Sequence, residues 1–255
     1  MFHPINNYEF NLLNIENYNL SQRMKFLKNY IKRFSELKGD YYEFGVFQGS
    51  SIISVALIFK KLGIKKKLYG FDSFGGFPGY SKFDSFENFN KLFKKKIITK
   101  SHFKDVMNFK KIKNFLRKKD NNKNLLHPKN ISTSNDFSNN SLSFLKKKIK
   151  LMKLDNIVLI RGNFEKTIPT FFKKNPEKKI FIANIDCDLY DSYKVVLNNI
   201  WAKLSKKGII YLDEYYSLKF PGARIASDEF FREYKIRPLK IRTPKTDFER
   251  WYIKK

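Results

Sequence analysis

The chain has 255 residues, 42% of them hydrophobic and 17% aromatic, enough to bury the core of one decorated α/β domain and to exclude a disordered, collagen-like or linker-type chain. Its single cysteine, Cys187, excludes a disulfide framework, a cysteine-rich zinc module and an iron–sulfur cluster. The formal net charge of +28 invites a nucleic-acid reading, but only nine of the 52 basic residues are Arg, whereas phosphate and base-edge readers favour the bidentate guanidinium. Lys accompanied by many Asn, Ile, Phe and Tyr reads as a coding bias toward A and T, so the charge is taken as solvated surface, with an anionic substrate or membrane surface left open. No apolar run approaches the roughly 20 residues of a membrane-spanning helix, and the first residues lack the pattern of a secretory signal. A cytoplasmic protein is expected.

Met24, Leu27, Ile31 and Phe34 recur at helical spacing and predict an amphipathic helix over 21–37 within an N-terminal helical segment, 1–39. Residues 41–44 read as a short aromatic strand, 45–51 as a loop, 52–62 as an apolar helix capped by Ser50 or Ser51, and 67–71 as a second strand. This β-loop-α-β unit argues for parallel strands with a right-handed crossover. From Pro78 to about Lys150 the composition shifts to Lys, Asn, Ser and Phe, with Phe83, Phe86, Phe89, Leu92 and Phe93 at helical spacing. Residues 80–150 are therefore expected to form a partly helical, lid-like insertion in a domain spanning 40–255. Strands follow at 157–160, 180–185 and 209–212, with helices at 165–172 and 192–204 between them. The end gives a helix to about Tyr234 and two strand candidates, 236–241 and 250–253. A turn holding Pro244, Lys245 and Thr246 should make them an antiparallel hairpin.

In Glu43-Phe44-Gly45-Val46-Phe47-Gln48-Gly49-Ser50-Ser51, an acid and a glycine end the first strand and a second glycine stands where the helix starts. Glycine there lets the backbone pass close to a ligand in the crevice of a doubly wound sheet. The spacing is not G-x-G-x-x-G, which disfavours a dinucleotide; a tight strand-to-helix turn would also account for it. Asp72 follows the second strand, where an acid can accept hydrogen bonds from both ribose hydroxyls or simply start the turn before Gly75 and Gly76.

With the block Phe71-Asp72-Ser73-Phe74-Gly75-Gly76-Phe77-Pro78, and with Gly162-Asn163-Phe164-Glu165-Lys166-Thr167-Ile168-Pro169 and Ile185-Asp186-Cys187-Asp188-Leu189-Tyr190-Asp191-Ser192 further on, the chain resembles the TylF-type macrocin O-methyltransferase family of class I S-adenosylmethionine (SAM) enzymes. The resemblance implies a Rossmann-like seven-stranded sheet of order 3-2-1-4-5-7-6, last strand antiparallel, with helices on both faces. It implies SAM held against Glu43, Gly45, Gly49 and Ser50, its ribose on Asp72 and its adenine near Ser73, Asn163 and Phe164. It further implies a sugar hydroxyl as acceptor and a divalent metal as helper.

Asp186 ends one strand, and Asp213 and Glu214 end another. If these strands are parallel neighbours, their carboxyl ends lie about 5 Å apart, and three carboxylates can converge on one hard cation such as Mg2+. The family ends the second strand with D-D-Y, whereas this chain has Asp213-Glu214-Tyr215. Asp188 and Asp191 read instead as a turn former and a helix cap, and Cys187 as a packing residue. Asp186, or His127 from the lid, is the candidate base. The reading is a metal-assisted sugar O-methyltransferase acting on a glycan, glycolipid or glycosylated metabolite, the acceptor carried by a sugar nucleotide or a lipid or standing alone, with a homo-oligomer open. The alternatives are an RNA methyltransferase and a non-catalytic basic protein on a SAM-type fold.

Overall fold

The computed structural model describes residues 3–117, 124–244 and 248–255. In chain order the elements are α1 (Asn7–Leu12), α2 (Gln22–Phe34), β1 (Asp40–Phe44), α3 (Ser50–Lys61), β2 (Leu68–Asp72), α4 (Asn88–Lys94), α5 (Lys100–Arg117), α6 (Pro128–Ile131), α7 (Leu142–Leu151), β3 (Ile157–Arg161), α8 (Phe164–Lys174), β4 (Ile180–Ile185), α9 (Tyr190–Ile200), β5 (Leu204–Leu212), α10 (Pro221–Glu233), β6 (Leu239–Ile241) and β7 (Arg250–Lys254). The sheet order is 3-2-1-4-5-7-6. Strands β1 to β5 run parallel, and β7 is antiparallel to both β5 and β6. This is the sheet expected of a class I methyltransferase. Lys245 and Thr246, assigned to the turn between β6 and β7, lie outside the described residues, as do residues 118–123 of the predicted insertion.

Successive side chains on a strand face opposite ways, and β1 feeds two cores accordingly. Tyr42 and Phe44 join a cluster under α8, α9 and α10, while Tyr41 joins one under α2, α3 and α7. Helix α2 docks through Met24, Leu27 and Ile31, all fully buried. Truncating Leu27 to Ala would cost about 2–5 kcal/mol, so this helix is a firm part of the sheet's cover and a fixed platform for Arg23. The N-terminal segment also contains α1, whose capping box pairs Asn6 with Glu9 and buries Phe10. Helix α7, inside the predicted insertion, is the crossover between β2 and β3 and packs through Leu145 on the α3 side. The remaining insertion helices form a third cluster, in which Phe86, Phe89, Val106 and Ile131 close on Leu189 and Phe220. That contact fixes the insertion beside the carboxyl ends of β4 and β5.

Two predicted caps are corrected. Helix α3 has Gly49 at its N-cap in the left-handed region (φ 79°) with no side-chain bond; Ser50 is already helical and Ser51 turns inward to donate to Glu43 at 2.7 Å. Asp191 does not cap α9, which starts at Tyr190, two residues earlier than predicted, with Leu189 at its N-cap. The free amide of Tyr190 is taken by Asp84 from the insertion at 2.8 Å, a buried carboxylate at a helix N-terminus.

Candidate active site

Strand β1 ends against β4. Gly45 donates to the Phe71 carbonyl at 3.0 Å, and Asp186 donates to the Phe44 carbonyl at 2.9 Å. A Cβ on Gly45 would stand 1.7 Å from the Asp186 carbonyl oxygen, and its φ is +92°. Only glycine serves there, and what it permits is the placement of Asp186 directly beside the loop 45–51.

A cleft of about 260 Å³ opens at this point. Its walls include Gly45, Phe47, Ser50 and Ser51 from the loop, Asp72 and Ser73 after β2, Asn163 and Phe164 at the start of α8, and Asp186, Cys187 and Asp188 after β4. Most of the expected cofactor residues are thereby gathered on one cavity. Asn163 also caps α8, accepting from the Glu165 amide at 2.9 Å. Phe164 stands edge-on to Phe44, ring centroids 6.1 Å apart.

Three expected site residues have a different placement. Glu43 is fully buried beneath the loop, where it accepts from Tyr41 at 2.6 Å, Ser51 at 2.7 Å and Asn184 at 3.3 Å. Gly49 faces α7, a Cβ there reaching Leu145 at 2.4 Å. His127 is exposed and caps α6 by accepting from the Lys129 amide at 3.2 Å; it is not among the residues of the cleft wall. The insertion's other histidine, His102, is buried, bonded to the Ser217 carbonyl at 2.8 Å and stacked on Tyr216, and burial lowers its pKa.

Asp72 uses both oxygens within the fold. Oδ2 accepts from the amides of Val46 and Phe47, each at 2.8 Å, and Oδ1 from the Phe74 amide at 2.6 Å. A carboxylate has about four acceptor positions, so at least one remains for a ligand. Phe47 and Phe74 are both left-handed, φ 49° and 50°; Asp72 therefore fastens two strained residues that shape the cleft.

Burial raises the Glu43 carboxyl to about 7, against the pull of its Ser51 and Tyr41 hydrogen bonds. The Asn184 Oδ1 beside it has no hydrogen-bond partner, and an amide flip would set that oxygen to accept from a protonated Glu43. Because the folded pKa lies above the unfolded 4.5, folding takes up a proton between these values, and stability falls as pH rises from 4.5 through 7. The full cost above pH 7 is about 3 kcal/mol. Glu43→Gln is accordingly expected to gain on the wild type by up to that amount between pH 5 and pH 8, as read by urea unfolding at both. An unchanged gap between the two proteins would refute the assignment.

The register Ile185↔Leu212 between β4 and β5 sets Asp186 beside Asp213, as the strand-end argument requires. The set that converges differs from the expected one by one residue. Asp186, Asp188 and Glu214 bring carboxylate oxygens within 4.8 Å of one another, so Asp188 stands where Asp213 was anticipated. Asp188 has φ 60°, and the Leu189 amide reaches back to the Cys187 carbonyl at 2.6 Å. This tight three-residue turn turns the Asp188 side chain toward its neighbours. Asp213 is instead paired with Arg23 of α2, whose Nη1 lies 2.9 Å from Asp213 Oδ1 and 2.8 Å from Asp186 Oδ2. Nothing in the sequence motifs pointed to Arg23; its signal was compositional, a retained Arg in a chain that favours Lys.

The electrostatics follow. Burial, then the charges of Asp186, Asp188 and Asp213, raise Glu214 well above the carboxylate range. Burial raises Asp188 to about 7, with Lys219 opposing and Asp186 and Asp213 adding. Burial and Asp213 raise Asp186 in spite of Arg23. For Asp213 burial also acts upward, but Arg23 and Arg250 overcome it and the group titrates below its ordinary value. Three crowded acids offering only oxygen, each pushed toward its neutral form, match the donor chemistry of a hard divalent cation. Cys187, buried between them, has its thiol pushed well up by burial, which makes it an inert wall residue.

The family model described as Macrocin-O-methyltransferase (TylF) matches residues 118–244, a stretch that contains the acids after β4 and β5. No curated protein matches the sequence. Among solved structures, CalS11, a calicheamicin methyltransferase, superposes with a TM-score of 0.63 at 19% identity, over 92% of this chain and 80% of that one. The O-methyltransferase NovP superposes at 0.61 and 19% identity, over 91% and 78%. An apo structure of CalS11, described as a TDP-rhamnose 3'-O-methyltransferase, gives 0.56 and 18% identity, over 92% and 81%. At these identities the superpositions establish the fold. Over residues 118–244, just under half of its length, the chain is similar to the TylF macrocin O-methyltransferase family, and its sheet is that of a class I methyltransferase.

Proposed function

We propose that the protein methylates a sugar hydroxyl with SAM as donor, assisted by a divalent cation. The observation that carries this reading is one cleft whose walls run from the loop 45–51, Asp72 and Asn163 to Asp186 and Asp188: a nucleoside site and an acid cluster open onto the same space. Asp72 retains capacity for a ribose hydroxyl, and Phe164 offers a ring face to a base. SAM supplies the electrophilic methyl group, and the chain's part is to align the acceptor oxygen with it, which can account for most of the rate enhancement.

Asp186 is the base that takes the hydroxyl proton, since it lies on the cleft wall and His127 does not. Asp186, Asp188 and Glu214 would hold the cation, which lowers the pKa of a hydroxyl bound to it. The acceptor reading follows the likeness to CalS11, described as a TDP-rhamnose 3'-O-methyltransferase; a glycan, glycolipid or glycosylated metabolite presents the same kind of hydroxyl. The insertion is taken as the lid on the acceptor side, a reading its packing on Leu189 and Phe220 supports. The cytoplasm, where SAM is made, is the proposed place of action, and no helix among the described residues is long and apolar enough to cross a membrane.

The test combines calorimetry with S-adenosylhomocysteine and NAD, and radiolabelled methyl transfer to nucleotide sugars with Mg2+ or EDTA. The expected outcome is binding of S-adenosylhomocysteine but not NAD, with transfer that EDTA removes. Binding of NAD alone would overturn the cofactor assignment. Full activity in EDTA would overturn the metal and leave Asp186 as a metal-free base.

A further inference from the structure

Residues 80–150 hold 19 Lys and Arg against five Asp and Glu, so just over a quarter of the chain carries half of its net charge of +28. Within this insertion, α5 is laid down in two senses. Its first half follows the ordinary pattern: His102 and Val106 face inward and are buried, and Asp105, the helix's one acid, accepts from the Tyr216 hydroxyl at 2.8 Å. With the bond from His102 to the Ser217 carbonyl, these contacts fix α5 to the segment that follows β5. In the second half the polarity is reversed. Lys113 is 9% exposed, its ammonium 5.8 Å from the Phe109 ring, while Ile112, Phe115 and Leu116 are 59%, 74% and 41% exposed. Phe115 lies about two and a half turns beyond Val106 and so stands on the face opposite the buried one. Lys104, Asn108 and Lys111 share that outward face at helical spacing, and all three are exposed.

We infer that the outward face of α5 docks on an anionic bilayer surface, with Ile112, Phe115 and Leu116 entering the headgroup region and Lys104 and Lys111 drawn to the lipid phosphates. Apolar side chains grouped at i, i+3 and i+4 on a solvent face are satisfied only by an apolar medium, and the surface around them is strongly positive. Charge decides among the occupants. In a two-fold pair with a second copy this face would meet itself, and Lys104 and Lys111 would be set against their own counterparts. A nucleic acid offers phosphates but no apolar medium for Ile112 and Leu116. An anionic bilayer meets both needs, attracting each lysine near its surface while burying the apolar tips. Lysine suits the place, since its stem lies along apolar surface while the ammonium stays in water, and a diffuse field asks for no bidentate fork. A protein held there meets a sugar carried on a lipid, one of the acceptor classes named above; that consequence, unlike the docking, rests on the methyl-transfer reading.

The test is co-sedimentation of the full chain with vesicles at physiological salt, without SAM or acceptor, using phosphatidylcholine alone and an equal mixture of phosphatidylcholine and phosphatidylglycerol. The wild type should bind the mixed vesicles about tenfold or more tightly than the neutral ones. Combining Ile112→Ser, Phe115→Ser and Leu116→Ser should weaken binding to the mixed vesicles about tenfold or more, and so should Lys104→Glu with Lys111→Glu. Tyr8→Ser with Leu12→Ser, which removes the exposed apolar pair of α1, should stay within about threefold of the wild type. Should the triple variant fail to fold, Phe115→Trp decides: its emission should shift to the blue on mixed vesicles, and an unshifted spectrum would leave that side chain in water and overturn the docking. Equal binding to both vesicles, or to neither, would overturn it as well. Undiminished binding by the triple variant would leave only diffuse charge, an equal loss in the α1 pair would move the contact elsewhere, and a dimeric wild type that the triple variant turns into a monomer would give the face to a second copy; each of these refutes the assignment to α5. Because neither SAM nor acceptor is present, failure here is distinct from failure of the methyl-transfer reading.

Discussion

Asp186→Asn is expected to lower kcat by about 10³-fold, within the range for removal of a general base, while S-adenosylhomocysteine binds within threefold of the wild type and the thermal midpoint moves little. The separation is expected because Asp186 sits at the junction of two sites. Its backbone amide, bonded to the Phe44 carbonyl, keeps the loop and β4 in place and survives the substitution. Its side chain pairs with Arg23, but Arg23 keeps Glu16 and Asp213 as partners, so no buried cation is stranded. Asparagine preserves the shape and cannot take the proton. Steady-state kinetics with calorimetry of the same variant decide the matter, and a loss below tenfold would move the base elsewhere on the cleft wall.

The parts of the molecule that could be read from the chain are those fixed by local pattern. Residues 180–185 form a short run that is apolar but for the buried Asn184, and the strand has those bounds, because a strand covered on both faces has few polar positions to blur its edges. The register of β4 and β5 then follows from their parallel pairing, and with it the approach of Asp186 and Asp213. The first half of β5 escaped notice because Ser205, Lys206 and Lys207 are polar and not buried, outside the covered part of the sheet. Which acids converge was not legible for a different reason. Whether Asp188 or Asp213 joins Asp186 depends on a left-handed turn at Asp188 and on a guanidinium delivered from α2, and neither is a property of the motif D-x-D-L-Y. Arg23 could have been suspected from composition alone: of nine arginines in a lysine-rich chain, Arg23 and Arg250 both end up beside Asp213, where a planar charged fork has no lysine equivalent.

Asp72→Ala is expected to have the largest effect on cofactor affinity, weakening S-adenosylhomocysteine about 100-fold, and to lower the thermal midpoint by about 4–8 °C, for a loss of about 2 kcal/mol. Both effects come from one carboxylate with two duties. Within the fold it accepts three amides, and two of them belong to Phe47 and Phe74, residues held in the left-handed region at about 1–2 kcal/mol each. Once the acceptor is gone, those residues are free to relax, and the loop that shapes the cleft relaxes with them. Toward the ligand, the remaining acceptor position is the one offered to the ribose. The two duties separate in a double cycle with a cofactor analogue that lacks the ribose hydroxyls. The wild type should prefer S-adenosylhomocysteine over the analogue by about 10-fold or more, a bond to a charged acceptor contributing roughly 1.5–3 kcal/mol, whereas Asp72→Ala should scarcely distinguish them. If the variant discriminates as well as the wild type does, Asp72 acts only through the loop, and the ribose is held by another residue of the cleft.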